Sequence, residues 1–394
     1  MINPNKRLTV LTLCSWYPNR TNATLGNFVQ KHAEAAGLYN NVTVISQFSD
    51  PHITKIEITK TEQNGITEII AYYPKSQSAV SFINKLKRFI NHRNAFRKAY
   101  KMALSSMGKP DIVHLNIVYP MGTWALWLKM RHKIPFVITE NSSGLHVGSD
   151  HAYPPAAMKL CKKTLKNAAV LMPVSLNLLS HMQKLAPQAQ FEIISNVVDE
   201  DKFGITSKSN SGIVQLIHIS TGVDSIKNLT GMINTLNRMR QKRSDFHLNI
   251  VSDGDTQYAQ DLVKQLNCGA FIQFHSTKTT LEIAQMLKES DALLMFSNYE
   301  NFPCVIAESF MSGLPVISSN VNGIPEHVNA SNGILVNPGK EDELEAAIES
   351  FIDKKITFDQ AEIRSYAEKH FGYRAVGKSF DAIYRKVLNH QSIH

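Results

Sequence analysis

The sequence predicts an α/β chain of two tandem doubly wound domains, each built on a parallel sheet. Three observations carry this. Continuous apolar runs of strand length alternate with segments of helical period. The apolar runs lack the in–out alternation of a sheet with one wet face, so helices must cover both sides. The alternation runs through once, breaks at a polar stretch, and runs through again. With 394 residues, 43% of them hydrophobic and 19% charged, the chain is long enough to bury two cores.

In chain order, LTVLTLCS (8–15), NVTVISQF (41–48), DIVHLN (111–116), PFVITE (135–140) and AVLMPVS (169–175) read as strands. GNFVQKHAEAAGLY (26–39), the long segment 81–104 and TWALWLKMRH (123–132) read as helices. FEIISNVVD (191–199) reads as a strand and loop, and the polar KFGITSKSNSG (202–212) as the linker. Strands follow at 213–220, 245–254, 271–276, 291–297, 314–319 and 333–339, with helical segments between. This gives domains 1–203 and 204–374, with a final helix at about 375–394 expected to pack back onto the first. In open parallel sheets ligands bind beyond the carboxyl ends of the strands. The expected site is therefore the cleft across which two such domains face each other.

The formal net charge is +9 and the isoelectric point about 9.2, which favours a phosphate-bearing partner. Cys14, Cys161, Cys268 and Cys304 are far apart and form no Cys-x-x-Cys, so neither a disulfide framework nor a zinc site is expected. A reducing, cytoplasmic setting follows. The first residues lack the apolar core of a signal peptide, no run is long enough to span a bilayer, and the Asn22-Ala-Thr24 sequon then carries no meaning. The Asp-x-Asp of SDGD (252–255) ends a strand and reads as a loop, so no metal is expected. His114, on a strand, reads as a core histidine.

NYENFPCVIAESFMSGLPVIS (298–318) concentrates the chemistry. Pro303 suits a first helical position, Asn301 is placed to cap, and Gly313 with Pro315 ends the helix near Ser312. The N–H groups near Cys304 and Val305 make an anion site. Glu308 lies one turn beyond Cys304 and leans back towards it, because helical side chains tilt towards the N-terminus. Glu300 lies just ahead. A diphosphate between two hydroxyl-rich groups fits all three features.

This segment resembles the E-x7-E motif of retaining glycosyltransferases of family 4, which have the GT-B fold of two Rossmann-like domains. NVNGIPEHV (320–328) resembles that family's Gly-Gly-Ile-Pro-Glu loop, with Asn322 at the first glycine. ISNVVDEDKF (194–203) resembles its domain-junction segment, and SWYPNRTNATLGNFVQKHAEA (15–35) its N-terminal glycine loop. The resemblance implies Glu300 against the donor sugar and Glu308 on the nucleotide ribose. It implies backbone N–H groups of Asn301, Phe302, Cys304 and Val305 facing sugar hydroxyls and phosphates, and Gly26 close to phosphate. Lys227 matches the family's phosphate-binding lysine, whereas Ser220 stands where its arginine is usual. Asn141, after Glu140, stands where a strand-end histidine near the reacting carbon is frequent, and asparagine cannot take up a proton at neutral pH. His146 is the nearby substitute.

Eight Lys/Arg and no acid lie between Lys85 and Lys109, with Phe82, Leu86, Phe89, Ile90, Phe96 and Tyr100 at helical spacing. Lys159, Lys162, Lys163 and Lys166 add a second basic helix. These read as helices on the sheet with basic outer faces, which also suit docking on an anionic membrane surface. No base-stacking motif interleaves the charges, so no nucleic acid is expected. The expected activity is retaining, metal-independent and cofactor-free transfer of a sugar from a nucleoside-diphosphate sugar to a hydroxyl acceptor. A lipid-linked glycan or surface polysaccharide precursor is the expected acceptor, at the inner face of the plasma membrane. The alternatives are a weakly active sugar-nucleotide-binding relative, prompted by Asn141 and Ser220, a GT-B sugar-nucleotide epimerase, and a basic nucleic-acid binder.

Overall fold

The computed structural model describes residues 6–75, 81–146, 152–205 and 212–391. The chain forms two compact units. One comprises Met1–Val197 with Tyr373–His394, the other Val198–Gly372. Val198 and Phe203 are buried in the core of the second unit, so the chain joins that core ahead of and at the start of the polar 202–212 stretch, most of which lies outside the described residues.

The first unit holds strands β1 (Thr9–Cys14), β2 (Asn41–Asp50), β3 (Glu57–Gln63), β4 (Ile66–Pro74), β5 (Ile112–Asn116), β6 (Phe136–Glu140) and β7 (Leu171–Pro173). Their order is β3-β4-β2-β1-β5-β6-β7, parallel except for β3. Sequence reading passed over the β3–β4 hairpin. Its turn is Asn64-Gly65, both at positive φ (49° and 76°), the two-residue connection whose twist matches paired strands. The expected strand at 191–199 is irregular. It makes one isolated bridge to β7, Phe191 against Leu171, with Glu192 N–H donating to the Leu171 carbonyl and Ile194 N–H to that of Pro173.

The helix Tyr373–Gln391 lies on the helix Asn27–Gly37 within this unit. Gly377 sits so close to Ala35 that a Cβ would stand 2.2 Å from its carbonyl oxygen. The Tyr373 hydroxyl donates to Glu34 at 2.6 Å, and Tyr384 pairs with His114 at 2.7 Å. His114 is fully buried and also contacts Thr139, as expected of a core histidine.

The second unit holds β8 (Val214–Ser220), β9 (Phe246–Ser252), β10 (Ile272–His275), β11 (Ala292–Met295), β12 (Val316–Ser319) and β13 (Gly333–Val336), all parallel, in the order β10-β9-β8-β11-β12-β13. Chain direction along the sheet reverses between β8 and β11. In the first unit the same reversal falls between β1 and β5. These are the topological switch points where loops part and leave a crevice.

Burial pulls His32 and His218 down to about 4 and His114 to about 3, because an imidazolium there would lose its hydration. Unfolded, each titrates near 6.5. Below that pH the unfolded chain binds protons that the folded chain refuses, so stability is lost as pH falls from about 6.5 towards 4. Each histidine contributes on the order of 1–3 kcal/mol across that window. Urea midpoints measured from pH 7 to 4 should fall steadily; a flat profile would show that these rings titrate normally.

Candidate functional site

The crevice of the second unit is built from two strand-ending loops. After β8 the chain turns through Thr221-Gly222 into the short helix Asp224–Lys227. Gly222 is at φ 71°, and a Cβ on it would meet Thr256 and Ser252 at 2.7 and 2.8 Å. Gly254, after β9, lies against Thr221; a Cβ there would stand 2.0 Å from the Thr221 carbonyl oxygen. Two glycines thus let the β8 and β9 loops stack, and the Tyr258 hydroxyl donates to the Gly222 carbonyl at 2.7 Å.

After β11 the chain runs through Ser297–Pro303 into the helix Cys304–Met311. The two loops are tied together. Asn298 N–H donates to the Ile226 carbonyl at 2.8 Å. The Lys227 ammonium donates to Glu300 Oε1 at 2.5 Å, and the Ser297 hydroxyl donates to the same oxygen at 2.9 Å. Lys227 and Glu300 are only 14% and 8% exposed at their side chains, so this ion pair is largely out of water. The residues expected to meet phosphate and sugar are therefore brought together from positions 73 apart in sequence.

The helix begins one residue later than expected, and Asn301 is not its cap. Pro303 occupies the N-cap with extended ψ of 133° and has no side-chain acceptor. The first turn thus receives no N-cap side chain; its Ile306 N–H turns back to the Pro303 carbonyl at 3.1 Å. The C-terminal end follows the expected design. Gly313, at φ 67°, lets Leu314 N–H donate to the Ser309 carbonyl and Gly313 N–H to that of Phe310, both at 2.9 Å. Phe302 is buried, its ring 4.4 Å from His327 and 5.3 Å from Phe371, so only its backbone can face a ligand. Val305 is likewise buried, whereas Cys304 and Glu308 are partly exposed. Asn322 sits at φ 46°; asparagine is the side-chain-bearing residue that best tolerates this left-handed region, which accounts for it where the motif has glycine.

Ser220 is engaged within its own turn. His218 Nδ1 faces the Leu294 carbonyl at 2.8 Å and so carries the proton. Nε2 is then the acceptor for the Ser220 hydroxyl at 2.7 Å, and Ser220 Oγ accepts from Gly222 N–H at 3.1 Å. Sequence reasoning missed His218, Ser297 and the two loop glycines. Nothing local marks His218, but the glycines following β8 and β9 could have been read as close-packing signals.

In the first unit, the loops after β1 and β5 meet through Ser15. Its hydroxyl donates to the Ile117 carbonyl at 2.6 Å and accepts from Met121 N–H at 3.1 Å. Ile117 is a β-branched residue held at φ 61°, a strained conformation of the kind that clusters at functional loops. Glu140, fully buried, accepts from the N–H groups of Val118, Asn141 and Ser142 at 2.9, 3.1 and 2.8 Å. Desolvation nevertheless raises its pKa. Asn141 donates its amide to Asn196 at 2.6 Å. His146 is buried with its ring stacked on His181, 4.2 Å between centroids. Gly26 starts the helix Asn27–Gly37 at φ 65°, and a Cβ would lie 2.7 Å from the Trp16 carbonyl carbon. The close approach seen here is to the chain's own backbone. Gly26→Ala should therefore cost about 1–3 kcal/mol of stability in chemical denaturation, through strain and clash together; an unchanged midpoint would remove that explanation.

Two Rossmann-like α/β units, each with a topological switch point, define the GT-B class of fold. Residues 32–202 match Glycosyltransferase Family 4, and residues 209–370 match Glycosyl transferases group 1. The chain belongs to this family of glycosyltransferases. The N-acetyl-alpha-D-glucosaminyl L-malate synthase of Bacillus anthracis is 26% identical over 294 residues, spanning 71% of this chain and 75% of that protein. Among solved structures, sucrose-phosphate synthase from Thermosynechococcus elongatus superposes with a TM-score of 0.76 at 17% identity, over 97% of this chain and 99% of that one. Anabaena HepE in complex with UDP superposes with a TM-score of 0.70 at 15% identity, over 96% and 100%. These structural likenesses bear on the fold. Among the described residues no group of three or more His, Cys, Asp or Glu side chains is arranged to hold a metal ion, and no helix is long and apolar enough to cross a membrane.

Proposed function

We propose that the chain transfers a sugar, with retention of configuration and without a metal ion, from a nucleoside-diphosphate sugar to a hydroxyl of a lipid-linked glycan or surface polysaccharide precursor. The observation that carries this is the Lys227–Glu300 pair beside the uncapped start of the helix Cys304–Met311, at the switch point of the second unit. When the donor enters, Lys227 turns to the diphosphate and Glu300 to a sugar hydroxyl. The first-turn N–H groups of the helix, with the backbone of Asn301, Phe302, Cys304 and Val305, meet phosphate and sugar oxygens. Glu308 accepts from the ribose hydroxyls. Ser220 serves this site by holding the Gly222 turn, so Lys227 is the cation of the clamp.

In the transfer step the acceptor oxygen attacks the anomeric carbon from the face the diphosphate leaves. The carbon–oxygen bond to phosphate breaks, and a departing phosphate oxygen takes the acceptor's proton. Lys227 and the helix N-terminus stabilise the charge that develops there. That route needs no side-chain base, which agrees with Asn141 at the strand end of the first unit and with its amide held by Asn196. No cofactor is required beyond the donor, and the reaction is placed in the cytoplasm. The N-acetyl-alpha-D-glucosaminyl L-malate synthase, as a sequence relative, and HepE with its bound UDP, as a structural likeness, support the sugar-nucleotide reading. A binding-only relative is favoured by one observation, the replacement of the second phosphate cation by Ser220; an epimerase would release a free altered sugar without an acceptor.

The test is a thermal-shift screen with UDP, GDP, ADP and their sugars. A nucleotide at 100 times its dissociation constant adds about 2.7 kcal/mol to the folded state. A base-specific shift is expected, followed by transfer to acceptor rather than release of free sugar. No shift with any nucleotide would overturn the donor site.

A further inference from the structure

The long helix Ser81–Met107 departs from the expected packing. Phe96 and Tyr100 are buried as expected, but Phe82, Ile83, Leu86, Phe89 and Ile90 are exposed, Phe82 by 73% and Phe89 by 60%. At 3.6 residues per turn these five fall within an arc of about 120°. The buried residues further along, Ala95, Phe96, Ala99, Tyr100 and Ala103, centre on a direction roughly 110° away. The exposed stripe is therefore a second apolar face that the sheet of this unit does not cover. Two turns on, the line of that same face is occupied by Arg93, Arg97 and Lys101.

We propose that this face docks on an anionic lipid bilayer, with residues 82–90 inserted at the acyl boundary and the following basic row on the headgroups. Charge decides the occupant. The helix carries no acid from Lys85 to its end, within a chain of net charge +9. A second copy of the chain would set one basic row against another, whereas anionic headgroups neutralise it. Lys85 and Lys87 flank the apolar arc on its two sides and Arg88 lies on the opposite, solvent-facing side, as interfacial helices require. The inference deepens the proposed lipid-linked acceptor, for which it rests on that reading, but vesicle binding needs neither donor nor transfer. Loss of one therefore leaves the other standing.

The test is cosedimentation with phosphatidylcholine vesicles, plain or containing about one third phosphatidylglycerol. Wild type should bind the anionic vesicles selectively. Phe82→Ser/Leu86→Ser/Phe89→Ser should weaken that binding at least about tenfold, since three inserted side chains are lost. These side chains are exposed, so the melting temperature should hold. Phe89→Trp in the otherwise native chain supplies a second readout, with fluorescence quenched by brominated lipid. The proposal is overturned if wild type ignores anionic vesicles, or if the triple substitution binds like wild type while Arg93→Glu/Arg97→Glu/Lys101→Glu does not. It is equally overturned if the triple substitution instead dissolves a dimer of the chain.

Discussion

Glu308→Ala is expected to weaken nucleotide binding by about ten- to a hundredfold and to erase most of the nucleotide-induced thermal shift. The magnitude follows from losing hydrogen bonds to a charged acceptor, about 1.5–3 kcal/mol, at 1.4 kcal/mol per decade of affinity. Glu308 is half-buried one turn beyond Cys304, in a helix whose start has no side-chain cap, so in the proposed donor site its carboxylate and the helix N-terminus would face one ligand. Glu308→Gln, which keeps one acceptor, should lie between the two. Equal dissociation constants for wild type and Glu308→Ala, measured by titration calorimetry, would take this residue out of the donor site.

Lys227→Ala is expected to lower the rate of transfer by about 10²–10³-fold, the usual effect of removing one preorganised positive group from a developing anion. It should also destabilise the second unit, because Glu300 would remain buried with Ser297 as its described partner. Breaking one side of a mostly buried ion pair costs on the order of 3 kcal/mol. The two consequences separate in the double substitution Lys227→Ala/Glu300→Gln. A neutral amide at 300 removes the uncompensated charge, so stability should recover while transfer does not. Transfer within about threefold of wild type in folded Lys227→Ala would mean that the lysine stabilises no charge in the reaction. Recovery of transfer along with stability would assign the pair a purely structural role.

Much of this was legible along the chain. Most buried parallel strands read directly, because a strand covered on both faces is apolar without alternation. The Schellman ending at Gly313 and Leu314 was visible in Gly-Leu-Pro. The exception was β3–β4, where an exposed antiparallel edge strand with a mixed pattern obscured a clear Asn-Gly turn. The helix start was misread by one position, because a proline suits several positions around a helix start and its φ cannot tell the cap from the first turn.

By itself the sequence determined the class of protein: two doubly wound units, their order, and a loop and helix carrying Glu300 and Glu308 beyond one strand end. Periodicity and turn chemistry are local, and they survive translation into one dimension. Only the tertiary structure decided what those residues touch. It set Lys227 on Glu300 across 73 positions, locked Ser220 to His218, and turned the apolar start of the helix Ser81–Met107 away from its own sheet. Such pairings depend on which strands become neighbours and on the direction in which a helix face points. Both are settled by packing between segments distant in the chain, and no local pattern records them.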